Sequence, residues 1–502
     1  MNLLYKFGYC LTLSMLFFLA SCKKEQLNRN PLTQPSSGTF WKTEDDIKLA
    51  LAGCYNTLIR GNEGFGHLTA YWDGISDNAW PRSNSFNTIS LGQIESTTGG
   101  VVSDVYTLDY RSIGTCNYFL ANVGNVPINK AKIDAYSAEV RFLRAWYFFQ
   151  LSEVYGGVPI TTKPETYGNP KRAQSSKEEV VKLIMDDLDF AISTLADVSY
   201  TGRIVKGTAL GLKAKVFAFN NRWQEAAATA KLVIDAAKFS LSPSYYGLFV
   251  KPMQVGNPEI MFSIKYQLPN LFHTLDYMLG WDQWEQLQPT QNLVDAYQMT
   301  DGKTITESPL YNSSNPYINR DPRLKLTVYV PGDPWKYSAN GLFNPLIDGN
   351  NKTGFNLKKL LDTTKAPTGY ATLSDQDIVL LRYADILLLY AEAQNEVAGP
   401  DQTVYNAVNA VRARPGINMP PVASGLTKDQ LRQKIRDERR VELAFEGGRY
   451  FDLKRWKISE TVIPKIINPG GVARKFDPKH YLWPFPQSEI DINPDLKQNT
   501  GY

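Results

Sequence analysis

The chain has 502 residues, which is long enough to bury a large core in one or two domains. Its 54 lysines and arginines nearly balance its 50 aspartates and glutamates. No basic stripe and no block of like charge stands out, which argues against nucleic-acid binding and against a charged disordered tail. The 10 Trp, 28 Tyr and 23 Phe residues exceed what packing alone requires and are the first indication of a binding surface.

The N-terminus predicts export. Lys6 precedes an apolar run over residues 7–20, the pattern of a secretory signal peptide over 1–21. Leu19-Ala20-Ser21-Cys22 resembles a bacterial lipobox, and this resemblance implies cleavage before Cys22 and lipidation of that residue. A multiply acylated cysteine anchors a protein stably to a membrane. An ordinary signal peptide that happens to contain a cysteine is the alternative. Residues 22–37 are polar and contain proline, as expected of a tether.

A helical region is predicted over residues 38–240. Its first helix begins near Thr43 with acidic residues in the first turn. Cys54 and Cys116 lie in apolar helical patterns and are expected to be buried free thiols. The last two helices form a hairpin with small residues at packing positions, which is similar to a tetratricopeptide repeat. The later helices of this region are predicted over 105–123, 130–155, 176–195, 206–220 and 222–238.

Two irregular regions, 61–100 and 241–375, interrupt the helical pattern and are rich in aromatic residues. Exposed rings can stack on the apolar faces of sugars, while neighbouring polar side chains bind the hydroxyl groups. The alternative is that long loops build small cores of their own and bury some of these rings. The predicted ligand-binding residues are Trp72, Asp77, Asn78, Trp80, Arg82, Trp281, Trp284, Trp335 and Tyr337.

The C-terminal region, 376–502, is organised around a helix predicted over 377–396, which is apolar on nearly every side and therefore buried. Arg382 and Asp385 interrupt it and need charged partners, because an unpaired buried charge costs several kcal/mol. Residues 435–456 supply them. Further helices are predicted over 402–414, 428–447 and 449–457, and the predicted ion network contains Arg382, Asp385, Arg439, Glu442, Glu446 and Arg449.

Glu442 and Glu446 lie four residues apart on one helical face, and such a pair has three interpretations. It could serve as an acid/base pair, as half of a carboxylate metal site, or as part of an arginine–glutamate network between helices. The network is favoured because arginines match or outnumber the carboxylates and no histidine is near.

The sequence motifs of common enzymes are absent. His67, His273 and His480 are scattered, and no phosphate loop, dinucleotide fingerprint or nucleophile elbow occurs. Asp73 and Asp77 flank Gly74 without the spacing of an EF-hand, so a calcium site stays only an alternative. A glycosidase would need two facing carboxylates, and nothing singles out such a pair. We therefore predict no catalytic residue, no metal and no cofactor.

Several stretches, taken in order, resemble the SusD/RagB family of outer-membrane nutrient-binding lipoproteins over almost the whole chain. They are the lipobox at Cys22, residues 40–46, 139–147 and 156–159, Asp301-Gly302, Arg320-Asp321-Pro322-Arg323, and residues 381–393, 408–414, 438–456 and 481–502.

The resemblance implies an all-α fold, with a scaffold of tetratricopeptide-like hairpins and a large irregular ligand-binding insert. It also implies a non-catalytic, lipid-anchored protein, expected on the cell surface, that delivers oligosaccharides to a SusC-type TonB-dependent transporter. The same fold binding peptides or another nutrient, a surface glycosidase, and a repeat scaffold without a small ligand are the alternatives.

Overall fold

Helices dominate the N-terminal region from Glu44 onward and the C-terminal region in the computed structural model, in agreement with the all-α prediction. The structure describes residues 40–59, 69–82, 84–164, 171–280, 284–335, 338, 340–346, 350–365 and 372–502. Within these ranges, none of the helices has both the length and the apolar composition needed to cross a membrane. The predicted signal peptide, Cys22 and the tether lie outside the described residues.

The N-terminal helices pack as antiparallel neighbours. Ser176 caps its helix through a capping box with Glu179, which explains why the predicted boundary at 176 is accurate. The fourth helix packs on the fifth and the sixth on the seventh, as hairpins of a tetratricopeptide-like scaffold should. The helices are α1 (Glu44–Asn56), α2 (Asn84–Ser90), α3 (Val101–Asn122), α4 (Lys130–Tyr155), α5 (Lys177–Thr194), α6 (Lys206–Phe219) and α7 (Trp223–Ala236).

The remaining helices divide into short ones in the insert and longer ones in the C-terminal region. The helix predicted over 428–447 ends at Glu442, and the C-terminal tail contains a short helix. The insert holds α8 (Leu275–Leu279), α9 (Gln291–Ala296) and α10 (Arg323–Thr327); the C-terminal region holds α11 (Tyr383–Ala398), α12 (Gln402–Arg412), α13 (Lys428–Glu442), α14 (Arg449–Arg455), α15 (Ser459–Val462) and α16 (Gln487–Ile492).

The central helix predicted over 377–396 was partly wrong. Its first residues form a β-strand, and α11 begins only at Tyr383. The strand pairs antiparallel with Ile260–Ile264, a strand of the insert whose five residues are all buried. Ile378 and Val379 favour strand geometry, but the partner strand lies more than a hundred residues away. Tertiary pairing therefore decided the conformation of this segment.

Short strands pair in twos across the described residues, and two of these pairs tie the insert to the rest of the chain. The region predicted as a loop over 61–100 also contains a 3₁₀ helix, Ala70–Ile75. The antiparallel pairs are β1 (Ala79–Pro81) with β3 (Leu287–Pro289), β2 (Ile260–Ile264) with β6 (Ile378–Arg382), β4 (Val328–Tyr329) with β5 (Asn356–Leu357), and β7 (Ile467–Asn468) with β8 (Val472–Ala473).

A large apolar core runs through the N-terminal region, the insert and the C-terminal region. Cys54 and Cys116 are buried in it as free thiols, as predicted. Trp335 lies outside this core, in a small separate cluster with Tyr329 and Phe343. The insert thus contributes to the main core and also builds a core of its own.

Candidate functional site

The β1–β3 ribbon joins the two irregular regions that carry the predicted binding residues. Trp80 on β1 lies opposite Gln288 on β3. Beyond the ribbon's end, the Arg82 backbone N–H donates to the carbonyl of Gln286 at 2.8 Å. The Arg82 side chain donates through Nη1 to the carbonyl of Trp284 at 2.7 Å. Trp80, Arg82 and Trp284, predicted from separate stretches, therefore lie at one place, which we call the ribbon site.

The ribbon site presents aromatic surface to solvent. Trp284 is 39% exposed, and Trp80 is half-buried. The Trp284 indole N–H donates to the hydroxyl of Tyr277, and the two rings meet edge to face with centroids 6.3 Å apart. That contact orients the indole of Trp284 while leaving part of its surface open. An oriented, partly exposed indole beside an arginine combines an apolar contact surface with hydrogen-bond donors.

A buried amide on β3 fixes the ribbon in place. The side chain of Gln288 donates to the carbonyl of Asn350 at 2.9 Å and accepts from the backbone N–H of Lys352 at 2.7 Å. Because Gln288 is fully buried and uses both ends of its amide, it fixes the ribbon to the 350–355 loop. The strand that carries Gln288 and pairs with Trp80 on β1 is therefore held by hydrogen bonds to that loop.

Two of the predicted aromatic residues are buried instead. Trp72 is 7% exposed and packs between Tyr450, Phe451 and Trp483. Trp335 is 5% exposed and forms an edge-to-face pair with Tyr329 at 5.1 Å. The alternative that long loops build small cores of their own describes Trp335. Trp72 is instead buried in the main core, against the C-terminal region. Trp281 and Tyr337 lie outside the described residues.

Asp77 and Asn78 are also buried and point into the protein. Arg449 binds both oxygens of Asp77, at 2.8 and 2.9 Å, and Arg440 donates to Asn78 at 2.9 Å. Burial alone would raise the pKa of Asp77, but Arg440 and Arg449 hold that pKa well below its usual range. These two polar residues fasten the start of β1 to α13 and α14, so their part in the site is to position the ribbon.

Glu442 is the last residue of α13 and Glu446 lies in the turn beyond it, so the prediction that the two share one helical face was wrong. Both carboxylates instead lie in a buried ion cluster. Arg382 contacts Glu442 at 2.7 Å, Glu446 at 2.6 Å and Glu259 at 2.8 Å. Arg323 and Arg414 each contact Glu442 at 2.8 Å. Five cations meet five carboxylates, so the formal charges cancel. The members are Arg323, Lys359, Arg382, Arg412 and Arg414 with Glu259, Asp321, Glu438, Glu442 and Glu446.

This environment suits a structural carboxylate rather than a proton-transfer group. Burial alone would raise the pKa of Glu442, yet Arg414, Arg382 and Arg323 hold it well below its usual range. A general acid or base needs a pKa near the working pH. The geometry therefore matches the arginine–glutamate network among the three interpretations of this pair.

Asp385 belongs to a second group of buried charges. Its partners are Lys215 at 2.7 Å and Arg439 at 2.9 Å. Arg382 and Asp385 could have faced each other on one helix, but Arg382 precedes the helix and each binds other partners. Glu259, Arg323 and Arg414 belong to the ion cluster but were not predicted as members of it, and Glu259 and Arg323 lie far from α13 in the chain. The Arg320-Asp321-Pro322-Arg323 motif was the available signal.

Metal ligands do not come together in the part of the chain that the structure describes: it contains no group of three or more His, Cys, Asp or Glu side chains placed to hold an ion. His273 is buried, and its Nε2 contacts the carbonyl of Gln376 at 2.9 Å. Burial lowers the pKa of His273 to about 4.

Comparison with known proteins gives the family. Residues 263–502 match the model described as the SusD family, and residues 35–217 match one described as starch-binding associating with outer membrane. The chain belongs to the SusD/RagB family. The SusD-like protein P2 of Formosa agariphila is 27% identical over 531 residues, covering 97% of this chain and 98% of its own.

Solved SusD-like structures share the fold. A SusD-like carbohydrate-binding protein of Bacteroides fragilis superposes with a TM-score of 0.82 at 27% identity, covering 91% of this chain and all of that one. A second SusD-like protein of the same species gives a TM-score of 0.80 at 26% identity, covering 94% and 100%. In this SusD-family chain, β1 lies in the segment matched by one family model and β3 in the segment matched by the other. The ribbon site therefore joins the two matched segments.

Proposed function

We propose that this protein captures oligosaccharides at the outer membrane and delivers them to a SusC-type TonB-dependent transporter. Membership of the SusD/RagB family supports the proposal. The observation that carries it is the meeting of Trp80, Arg82 and Trp284 at the ribbon site, which is joined by the 2.7 Å bond from Arg82 to the carbonyl of Trp284. The B. fragilis relative of known structure is named for carbohydrate binding.

The ribbon site offers a sugar two kinds of contact. The C–H face of a pyranose is apolar and packs on the open surface of Trp284, with Trp80 on β1 as a second aromatic contact. Arg82 donates one N–H to the carbonyl of Trp284, and a guanidinium has five N–H groups. Its other donors therefore serve the hydroxyl groups of the sugar. A few well-placed polar groups beside an aromatic surface are typical of small-ligand sites.

Binding without catalysis is part of the proposal. The carboxylates that first suggested chemistry, Glu442 and Glu446, are buried among arginines and lysine. Asp77 is likewise committed to arginines. A glycosidase would instead need two carboxyl groups facing one another across a bound sugar. In our proposal the ribbon site binds the sugar without breaking any of its bonds.

Anchoring places the site at the membrane. We propose that Cys22 carries the lipid and that residues 22–37 form the tether, with the chain exposed on the cell surface. Pull-down of the transporter from detergent-solubilised outer membranes by the tagged, lipidated chain tests the partnership. Recovery of a TonB-dependent transporter is expected; recovery equal to that from a lysate lacking the tagged chain would contradict it.

Calorimetric titration of the full-length chain in detergent with neutral oligosaccharides tests the ligand class. We expect saturable heat with at least one glycan class and its loss in the double variant Trp80→Ala/Trp284→Ala. Trp223→Ala is the matched control, because Trp223 is also half-buried but begins α7 in the scaffold. Unchanged affinity in the double variant would overturn the ribbon site. Saturable heat only with peptides would replace glycan by peptide as the ligand.

A further inference from the structure

A second concave surface lies between α9, α13 and the α14–α15 segment. It encloses about 440 Å³, within the roughly 300–1,000 Å³ typical of small-ligand sites. Gln433, Arg436, Asp437 and Arg440 line it from successive turns of α13, so one face of that helix forms its floor. We call it the Arg436 groove. It shares none of the three ribbon-site side chains.

Arg436 differs from the other arginines around the groove. Arg440 and Arg449 are both committed to Asp77. Arg436 lies over the indole of Trp456 with its guanidinium carbon 4.6 Å from the ring centroid. Among the described residues it has no ion pair and no hydrogen-bond partner, and its Nε is buried and unsatisfied. Burial lowers the pKa of Arg436, as expected for a cation that lacks a close counter-charge.

The stacking on Trp456 prepares Arg436 for a planar anion. The contact with the Trp456 ring limits the positions that the guanidinium can adopt, and a guanidinium can form two parallel N–H bonds to a carboxylate. The indole of Trp456 is fixed in turn by a 2.6 Å hydrogen bond to Glu392. The side chain therefore loses little freedom when an anion binds, which favours affinity.

The groove also offers groups that bind hydroxyls. Asp437 accepts one hydrogen bond, from Gln433 at 2.7 Å, and has no ion pair in the described part of the chain. Asn292 accepts from Arg440 at 2.6 Å through Oδ1, which leaves its amide N–H₂ for another acceptor. The lining carries four cations and three carboxylates, a surplus of one positive charge. The set suits a small ligand with one negative charge and several hydroxyl groups.

We infer that the Arg436 groove binds an acidic sugar, with a uronate carboxylate on Arg436 and ring hydroxyls on Asp437 and Asn292. This is a second binding site, independent of the ribbon site. A uronate is planar at its carboxylate and supplies hydroxyl donors to Asp437 and acceptors to Asn292. One ligand class therefore satisfies both the uncompensated cation and the open polar groups.

Calorimetry of the full-length chain in detergent with digalacturonate and its dimethyl ester tests the inference, because esterification neutralises the carboxylates and keeps the ring hydroxyl groups. We expect the acid to bind at least about tenfold more tightly than the ester, as a charge-assisted hydrogen bond implies. Arg436→Gln should remove this preference. Arg436→Lys keeps the positive charge but lacks the two parallel N–H donors of a guanidinium, so it should retain part of the preference for the acid. Lys434→Gln, on the same helix but outside the groove lining, should leave it unchanged.

Folding and site identity are checked with the same proteins. Arg436→Gln breaks no ion pair, so its circular dichroism and thermal transition should match those of the wild type. The Trp80→Ala/Trp284→Ala variant should keep the preference for the acid, which separates this inference from the ribbon site. Equal affinity for acid and ester, wild-type affinity in Arg436→Gln, or no binding at millimolar digalacturonate would each overturn it. Tighter binding of a sulfated disaccharide would overturn the carboxylate assignment.

Discussion

Replacing Glu442 by glutamine removes one negative charge from the centre of the buried ion cluster while keeping the shape of the side chain. Glu442 contacts Arg323, Arg382 and Arg414 at 2.7–2.8 Å and is fully buried. The cluster then changes from neutral to a surplus of one positive charge with no water to solvate it. Removing one partner of a buried ion pair costs about 3–5 kcal/mol, and we expect a loss in the free energy of unfolding of about that size.

The loss should depend on pH in a defined direction. Because the pKa of Glu442 is depressed in the folded protein, its contribution is present above the unfolded value of about 4.3. It is lost as the pH falls further toward the folded value. The difference between wild type and Glu442→Gln should therefore stay constant from about pH 7 to pH 5 and shrink below about pH 4.

Urea unfolding followed by circular dichroism at several pH values measures this difference. Asp429→Asn is the matched control, because Asp429 lies on the same helix and also pairs with an arginine, but its side chain is 84% exposed. A surface pair of this kind contributes at most about 1 kcal/mol. A Glu442→Gln loss no larger than that of Asp429→Asn, or a difference that grows as the pH falls, would refute the role given to the cluster.

Three further predictions follow from single residues. In thermal or urea unfolding, Gly447→Ala should lower the free energy of unfolding by at least about 1–2 kcal/mol, because Gly447 has φ +77° and a Cβ would lie 2.5 Å from the carbonyl oxygen of Thr69. Gly448→Ala is the control and should lower it far less, because the space around Gly448 is open. Burial raises the pKa of Asp73 to about 6, so the wild type loses stability as the pH rises from about 4 to about 6, and Asp73→Asn should gain about 2 kcal/mol relative to wild type between pH 4 and pH 7. A gain that is flat with pH would contradict this. Cys22→Ala should abolish palmitate labelling and partition into detergent; retained labelling would show that Cys22 is not the lipidated residue.

Local sequence patterns predicted the helices of the scaffold well because residues at the helix ends mark the boundaries. The helix predicted over 130–155 is α4 to the residue, and the capping box at Ser176 marks the start of α5. Such signals are local in sequence. The helix prediction for residues 378–382 was wrong because their partner strand lies in the insert. Nothing in the local sequence distinguishes a buried strand from the first turn of a buried helix.

The binding residues were predictable only in part. Trp80 and Trp284 lie at a partly exposed site, as their place in irregular, aromatic-rich regions predicted. Trp72 and Trp335 have a similar sequence context but are buried, Trp72 by partners far along the chain and Trp335 by its near neighbours Tyr329 and Phe343. Asp77 resembled a sugar-binding residue and is instead the partner of Arg449. Exposure of a loop side chain depends on long-range packing, which composition and spacing do not contain.

The most direct test of the account is titration of the full-length chain and of its Trp80→Ala/Trp284→Ala variant with the same panel of oligosaccharides, read by calorimetry and tryptophan fluorescence. The account predicts saturable binding of one glycan class by the wild type, with a fluorescence change, and a loss of at least about 2 kcal/mol of binding free energy in the variant. Equal binding by both proteins, or no binding of any glycan by folded wild type, would contradict it.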